Sequence, residues 1–201
     1  MFIIISGPSG SGKTPLIYSA LDRYPNLQKV QSCTTRKNRK VEVSGTYTYM
    51  TKEEFEKKIK EGYFLEYNKV HKDQQYYGTS LESYNNVLQN GNVAIKDIDV
   101  DSFKNMKTRD MDIVGVYVTV KDRNVLFDRL RNRGESEETI NIRLFDRVDY
   151  ENSMKDNYDY VIYTDVMEDA VKQFEKIIDK EFKKRNIKIK KNKVEAKPFI
   201  F

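Results

Sequence analysis

An α/β fold built on a parallel sheet is the class the sequence predicts, and three observations predict it. Short apolar runs, Phe2–Ser6, Val93–Asp97 and Ile113–Thr119, have the length and composition of buried strands. Segments of helical period separate them, and that alternation suits a sheet with helical crossovers. Between the first strand and the first helix the chain reads GPSGSGKT, a glycine-rich turn leading to a lysine.

The elements follow in order. Phe2–Ser6 is a strand of apolar residues. Residues 13–24 read as a helix, with Leu16, Ile17, Ala20 and Leu21 on one face. The basic segment CTTRKNRK and short tyrosine-rich pieces come next. Residues 52–61 are a helix, 63–70 a strand, and Leu81–Gln89 a helix ended by Gly91. After the strands Val93–Asp97 and Ile113–Thr119, two charged helical runs, 123–133 and 137–150, flank Gly134. A last strand over 158–163 and a last helix over 167–182 close the pattern. The middle, roughly 32–90, reads as an insertion with its own small sheet.

Composition bounds the class. A chain of 201 residues suits one domain with inserted subdomains. With 38% hydrophobic and 33% charged residues the surface is very polar. No apolar run approaches the roughly 18 residues of a membrane helix. Residues 2–5 are too short for a signal-peptide core. The single cysteine, Cys33, excludes an internal disulfide. These features lead to the expectation of a cytoplasmic protein with no membrane partner. The net charge of +5 comes from a chain in which Lys and Arg alternate with Asp and Glu, so no nucleic-acid partner is expected. Only KKRNIKIKKNK, residues 183–193, is strongly basic, and it reads as a solvated tail.

GPSGSGKT fits the phosphate-binding pattern G-x-x-x-x-G-K-[ST] and comprises Gly7, Pro8, Ser9, Gly10, Ser11, Gly12, Lys13 and Thr14. The glycines let the backbone turn so that successive N–H groups face one anion, and the helix that follows adds its positive end. Lys13 can reach the outer phosphates of a nucleoside triphosphate, and the Thr14 hydroxyl can coordinate Mg²⁺. Pro15 falls in the first helical turn, where a missing N–H costs little.

Arg36 and Arg39, in SCTTRKNR before Gly45, could grip a phosphate monoester with paired guanidinium forks. Taken alone, the segment reads rather as a solvated basic loop. Its neighbours change that reading. SCTTR-x-x-R, E-x-x-G, Y-x-Y-M-T-K-E-E-F, FLEY, YYGTS and KDID occur in the order, and at nearly the spacing, of guanylate kinases. Downstream, RL-x-x-RG, E-E-x-I-x-x-R and Y-D-Y-V-I-Y also match, so the chain resembles that family over about residues 2–182.

The resemblance implies a phosphate-loop NTPase core over 1–31, 91–120 and 155–182, with a small mixed-sheet subdomain over 32–90 that binds GMP. It further implies a helical lid over 121–154 and leaves 183–201 as a basic tail. The activity implied is transfer of the γ-phosphoryl group of ATP to GMP or dGMP, with Mg²⁺, by a monomer or homodimer. Ser32, Arg36, Arg39, Tyr47 and Tyr77 fall where the family grips the GMP phosphate. Glu66 falls where a carboxylate accepts from guanine N1–H and the exocyclic amine. Gly78, Thr79 and Asp99 would complete the base and ribose surroundings, and Asp97 would act beside Mg²⁺. Lys13, Arg36 and the lid arginines Arg129, Arg133 and Arg143 would form the catalytic set. Arg131 and Arg147, which lack motif counterparts, read as salt-bridged surface residues.

Several positions depart from the family pattern. Lys40-Val41-Glu42 stands for R-x-G-E, and the loop before Tyr47 is one residue shorter. HKDQQ is about two residues longer, and the segment between Arg133 and Arg143 is one shorter. Lys96 stands where an apolar residue is usual, Asp101-Ser102 replaces Gln-Gly, and Thr164 replaces an Asn that contacts adenine. None of these removes an acid, lysine or arginine the chemistry requires. His71 has no role in phosphoryl transfer of this kind, and Cys33 reads as a small buried residue. Two alternatives stay open: a related kinase for another phosphate monoester, and a non-catalytic binding module of the same fold.

Overall fold

The computed structural model describes residues 1–37, 47–70, 75–144 and 147–193, with Val70, Ile142 and Arg143 as backbone only. Its central sheet has five strands in the order β2 (Leu27–Lys29), β7 (Val93–Asp97), β1 (Phe2–Ser6), β8 (Ile113–Thr119) and β9 (Tyr160–Tyr163). β8 runs parallel to both β1 and β9, as crossovers through helices require. Every residue of β1 is buried, which is why the strand carries an unbroken apolar run instead of an alternating one.

Helices cover this sheet. α1 (Lys13–Arg23) follows the glycine-rich loop and packs through Leu16, Ile17 and Ala20. At its end Tyr24 meets Phe182 of α8 (Met167–Lys184) edge-on, with ring centroids 5.8 Å apart. On β8, a Cβ at Gly115 would run into the Phe103 ring, which stacks on Tyr158 at 3.9 Å. Phe103 belongs to α4 (Val100–Lys107). Farther along, α5 (Asn124–Asn132) and α6 (Glu137–Leu144) share a small core of Leu126, Leu130, Ile140 and Leu144, which Val148 of α7 (Val148–Ser153) joins.

Two compact units are distinguishable, Met1–Leu27 with Ile95–Phe201, and Gln28–Ala94. The second contains a four-stranded mixed sheet in the order β4 (Tyr47–Tyr49), β3 (Ser32–Thr34), β6 (Gln75–Ser80) and β5 (Phe64–Val70). β3 and β4 are parallel, and the other two pairs are antiparallel. One face of the sheet carries Cys33 and Tyr76, which pack against Phe55 of α2 (Lys52–Lys60). The stacking of Phe55 on Phe64 and Tyr76, at 4.2 and 5.0 Å, fixes that helix. A capping box starts it: Thr51 accepts from Glu54 N and Glu54 accepts from Thr51 N, an arrangement contributing about 1 kcal/mol. α3 (Leu81–Gln89) begins at the Ser80 cap.

The structure corrects several expectations. The charged run 137–150 is not one helix but two, α6 and α7. Residues 158 and 159 precede the last strand instead of belonging to it. The last helix continues past Phe182 to Lys184. Helix α4 was not expected, although Val100, Phe103 and Met106 have its spacing. The basic block 183–193, which begins in the last turn of α8, is not a freely solvated tail. Lys191 Nζ lies 2.7 Å from an Asp179 carboxylate oxygen, and Asn192 N donates to Arg23 O at 2.8 Å. Carboxylates on α8 and the open carbonyls ending α1 give these residues partners that composition alone does not reveal. Among the described residues no helix is long and apolar enough to cross a membrane.

Candidate active site

The loop between β1 and α1 is shaped by close approach. A Cβ on Gly7 (φ +144°) would overlap the carbonyl oxygen of Val118 on β8. A Cβ on Gly12 (φ +87°) would lie 2.6 Å from Met167 Cε. Both positions therefore need glycine for space and for backbone conformation. Lys13 arches back over the loop, its Nζ donating to Gly7 O at 2.6 Å and Pro8 O at 2.9 Å. Ser11 is fully buried, whereas Thr14 is exposed at the start of α1. Ser9 and Gly10 are half-buried.

Beside this loop ends β7. Ile98 N donates to Ile5 O at 3.1 Å, which holds the carboxyl ends of β7 and β1 side by side and brings Asp97 to the edge where the loop begins. Two residues on, Asp99 caps α4. It accepts from Asp101 N and Ser102 N, both at 3.0 Å, and from the Ser102 hydroxyl at 2.8 Å. The donor set of Thr14 hydroxyl and Asp97 carboxylate is hard oxygen, which fits Mg²⁺, an ion usually held by one or two protein oxygens and by phosphate.

Of the expected lid arginines, Arg129 is 8% exposed and reaches inward. Its guanidinium donates to Gly10 O at 3.2 Å and to Thr164 at both Oγ1 (3.1 Å) and O (2.6 Å). Burial lowers its pKa, with Asp165 opposing, and a guanidinium remains a cation in this setting. Arg133 is exposed at the end of α5. Arg143 lies in α6, with its side chain outside the described residues. Arg131 pairs with Glu137 at 2.6 Å on the surface. Arg147 pairs with Asp101 at 3.6 Å and Glu151 at 3.3 Å.

Sequence reasoning missed Glu151. Burial raises its pKa, while the charges of Lys13 and Arg147 pull it down. It is thus a half-buried acid in the field of the loop lysine. Its place on the short helix α7 is what hid it, since the sequence pattern ran straight through that helix.

In the second unit, strand register aligns four of the residues expected to bind the acceptor. Tyr47 pairs with Ser32, Ser32 with Thr79, and Thr79 with Glu66, so these four form one row across the sheet. Residues two apart share a face, so Tyr77 and Thr34 stand on the side opposite Cys33 and Gly78. Gly78 has no room for a side chain, because a Cβ would lie 2.8 Å from Phe64 Cδ1. Glu66 is 9% exposed and accepts a hydrogen bond from the Thr79 hydroxyl. Arg36 follows β3, its N donating to Thr34 Oγ1 at 3.1 Å. Its guanidinium carbon lies 5.1 Å from the Tyr47 ring centre and 5.8 Å from that of Tyr49. Arg39, Gly45 and His71 lie outside the described residues.

Comparison with known proteins adds an independent line. The family model for guanylate kinase matches residues 1–181. A curated guanylate kinase of Rickettsia bellii is 37% identical over 188 residues, covering 92% of this chain and 97% of that protein. One from Campylobacter jejuni is 37% identical over 182 residues, with 88% and 86% covered. The crystal structure of guanylate kinase from Anaplasma phagocytophilum matches the fold with a TM-score of 0.68 at 23% identity, over 90% of this chain and 85% of that one. A family model that matches residues 1–181 and relatives matched almost end to end lead to one conclusion: the chain belongs to the guanylate kinase family.

Proposed function

We infer that the protein transfers the γ-phosphoryl group of ATP to the 5′-phosphate of GMP or dGMP, yielding ADP and GDP or dGDP. The observation that carries this reading is the row Tyr47–Ser32–Thr79–Glu66, with Thr79 donating to the buried Glu66 carboxylate. A carboxylate fixed in this way accepts from two adjacent donors. Guanine offers such a pair at N1–H and the 2-amino group, whereas adenine does not.

The acceptor oxygen is already an anion, so little proton transfer is required. Catalysis amounts to aligning two highly charged groups and cancelling their repulsion. Arg36, with Arg39, neutralises the GMP phosphate, and Ser32, Tyr47 and Tyr77 direct it with hydroxyls. Asp99 and Gly78 complete the surroundings of the nucleoside. On the donor side the loop from Gly7 to Thr14 cradles the triphosphate, and Lys13 meets the outer phosphates. Thr14 and Asp97 would hold Mg²⁺, which supplies charge neutralisation on the phosphates when bound. Arg133 and Arg143, in a lid over 121–154, act on the transferring group when the site closes and excludes water. A GMP-binding subdomain over 32–90 and a core over the rest of the match, in a cytoplasmic protein, complete the reading.

A coupled assay of ADP release with MgATP and GMP tests it. Release that depends on GMP or dGMP is expected. Release with another phosphate monoester but not with GMP would transfer the site to a different substrate.

A further inference from the structure

Thr164, at the end of β9, is fully buried, and it joins three elements around the phosphate-binding loop. Its N donates to Thr119 O of β8 at 2.9 Å. Its hydroxyl donates to Ser11 O at 2.7 Å and accepts from Arg129 Nη1 at 3.1 Å. Its carbonyl accepts from Arg129 Nη2 at 2.6 Å. The same Nη1 reaches Gly10 O at 3.2 Å. Two consecutive loop carbonyls, those of Gly10 and Ser11, are thereby held from behind by one threonine and one arginine.

The consequence lies in peptide geometry. In a trans peptide the C=O and N–H point to opposite sides. With the Ser11 carbonyl held by Thr164, the Gly12 N–H is turned to the other side, away from the buried hydroxyl. That orientation is the one an anion cradle requires, and the Arg129 charge lies behind it. Packing confirms how closely the parts fit. A Cβ on Gly10 would lie 3.2 Å from Leu126 O of α5, and one on Gly12 would lie 3.5 Å from Thr164 Oγ1.

We propose that Thr164 and Arg129 form a buried clamp that holds the phosphate-binding loop in its anion-binding shape, which makes both of them positioning residues for the ATP half of the reaction. The proposal deepens the ATP:GMP phosphotransfer reading and rests on it for the identity of the nucleotide. It gives Arg129 a place different from the one implied by resemblance. An arginine that touches the transferring phosphoryl group acts on turnover. An arginine that shapes the loop acts on ATP binding.

The test measures ATP affinity directly by calorimetric titration of the intact chain, alongside kcat and the KM for each substrate. Thr164→Val keeps the shape and removes the hydroxyl, and Thr164→Ser keeps the hydroxyl. Thr164→Val is expected to weaken ATP binding about tenfold, the loss expected when buried partners are left unpaired, with the GMP KM unchanged within about twofold. Thr164→Ser is expected to stay close to the wild type. Arg129→Lys, which cannot reach two carbonyls and a hydroxyl together, is expected to weaken ATP binding similarly. The double variant should lose little more than either single one, because the two residues act as one unit.

Three results would overturn the clamp: ATP affinity unchanged in a folded Thr164→Val, Thr164→Ser as weak as Thr164→Val, or a lower kcat in Arg129→Lys with ATP affinity intact. Should Thr164→Val fail to fold by circular dichroism, the Arg129→Lys and Thr164→Ser titrations decide the matter. A wild-type chain that binds ATP but leaves GMP untouched would remove the functional reading while the titrations still decide the clamp. A wild-type chain that binds no ATP would overturn both.

Discussion

The phosphate-binding loop and the four-stranded sheet would, under the proposed function, recognise a phosphate in different ways. The loop between β1 and α1 offers mainly backbone, and its shape depends on glycines that touch β8 and α8, with Thr164 and Arg129 behind them. The four-stranded sheet offers side chains, set in a row by strand register, with Glu66 held by Thr79. A backbone site tolerates many side chains on its surface but fails when its supports are altered. A side-chain site tolerates changes in its supports better and fails when one contact residue is altered. The first suits a triphosphate common to many reactions. The second suits the choice of one base among several.

Substitutions can break this contrast, and the largest effect is expected at Lys13. Lys13→Ala should lower kcat on the order of 10³-fold while leaving the melting temperature nearly unchanged, since a preorganised charge at the transferring group is lost. A stopped assay with purified variant checks the rate, and a thermal melt followed by circular dichroism checks the stability. Glu66→Gln should raise the GMP KM on the order of 100-fold and narrow the preference for guanine over adenine, because one acceptor becomes a donor facing a donor. Unchanged GMP kinetics would remove Glu66 from base recognition. Gly12→Ala should destabilise the fold by about 1–2 kcal/mol through its left-handed backbone and weaken ATP binding with little change in the GMP KM. Gly134→Ala makes a useful partner to it. That glycine also has positive φ, at +76°, but open space around it, so only stability should fall.

The smallest effect belongs to neither half and serves as a control. Arg185 donates to both Asp112 carboxylate oxygens, at 2.6 to 2.9 Å, and holds that carboxyl below its ordinary pKa. The amino terminus of Met1, 3.6 Å away, acts in the same direction. The native state thus binds this proton less readily than the unfolded chain does. The stabilisation is fully present above the unfolded value of about 3.9 and is lost as pH falls through the lower native one. Arg185→Gln should flatten the fall in stability below about pH 4, in chemical denaturation curves run at several pH values, while leaving neutral-pH kinetics alone.

The donor half was the more legible in sequence. A glycine-rich turn between an apolar strand and a helix has a local signature, and β1 and α1 lie where it puts them. The supports of that loop were not legible. Arg129 and Thr164 are 35 positions apart and reach Gly10 and Ser11 only through the order of the strands. In the four-stranded sheet the sequence names candidate residues but not their row, because the pairing of Ser32 with Thr79 depends on register across 47 positions of chain. Glu151 illustrates the same limit: its place in the field of Lys13 arises from tertiary packing. Helix α4 was missed for a different reason. Asp99 stands in the KDID motif of the resemblance, and the same residue is locally the helix cap.

A guanine-selective carboxylate at Glu66 is central to the proposed function, and one competition experiment tests it. The intact protein is given γ-labelled MgATP and equal concentrations of GMP, AMP, CMP and UMP, and the labelled diphosphates are separated. Label in GDP alone is the predicted result. Label spread evenly over the diphosphates, or appearing in ADP made from AMP, would contradict the assignment of Glu66 and with it the proposed function.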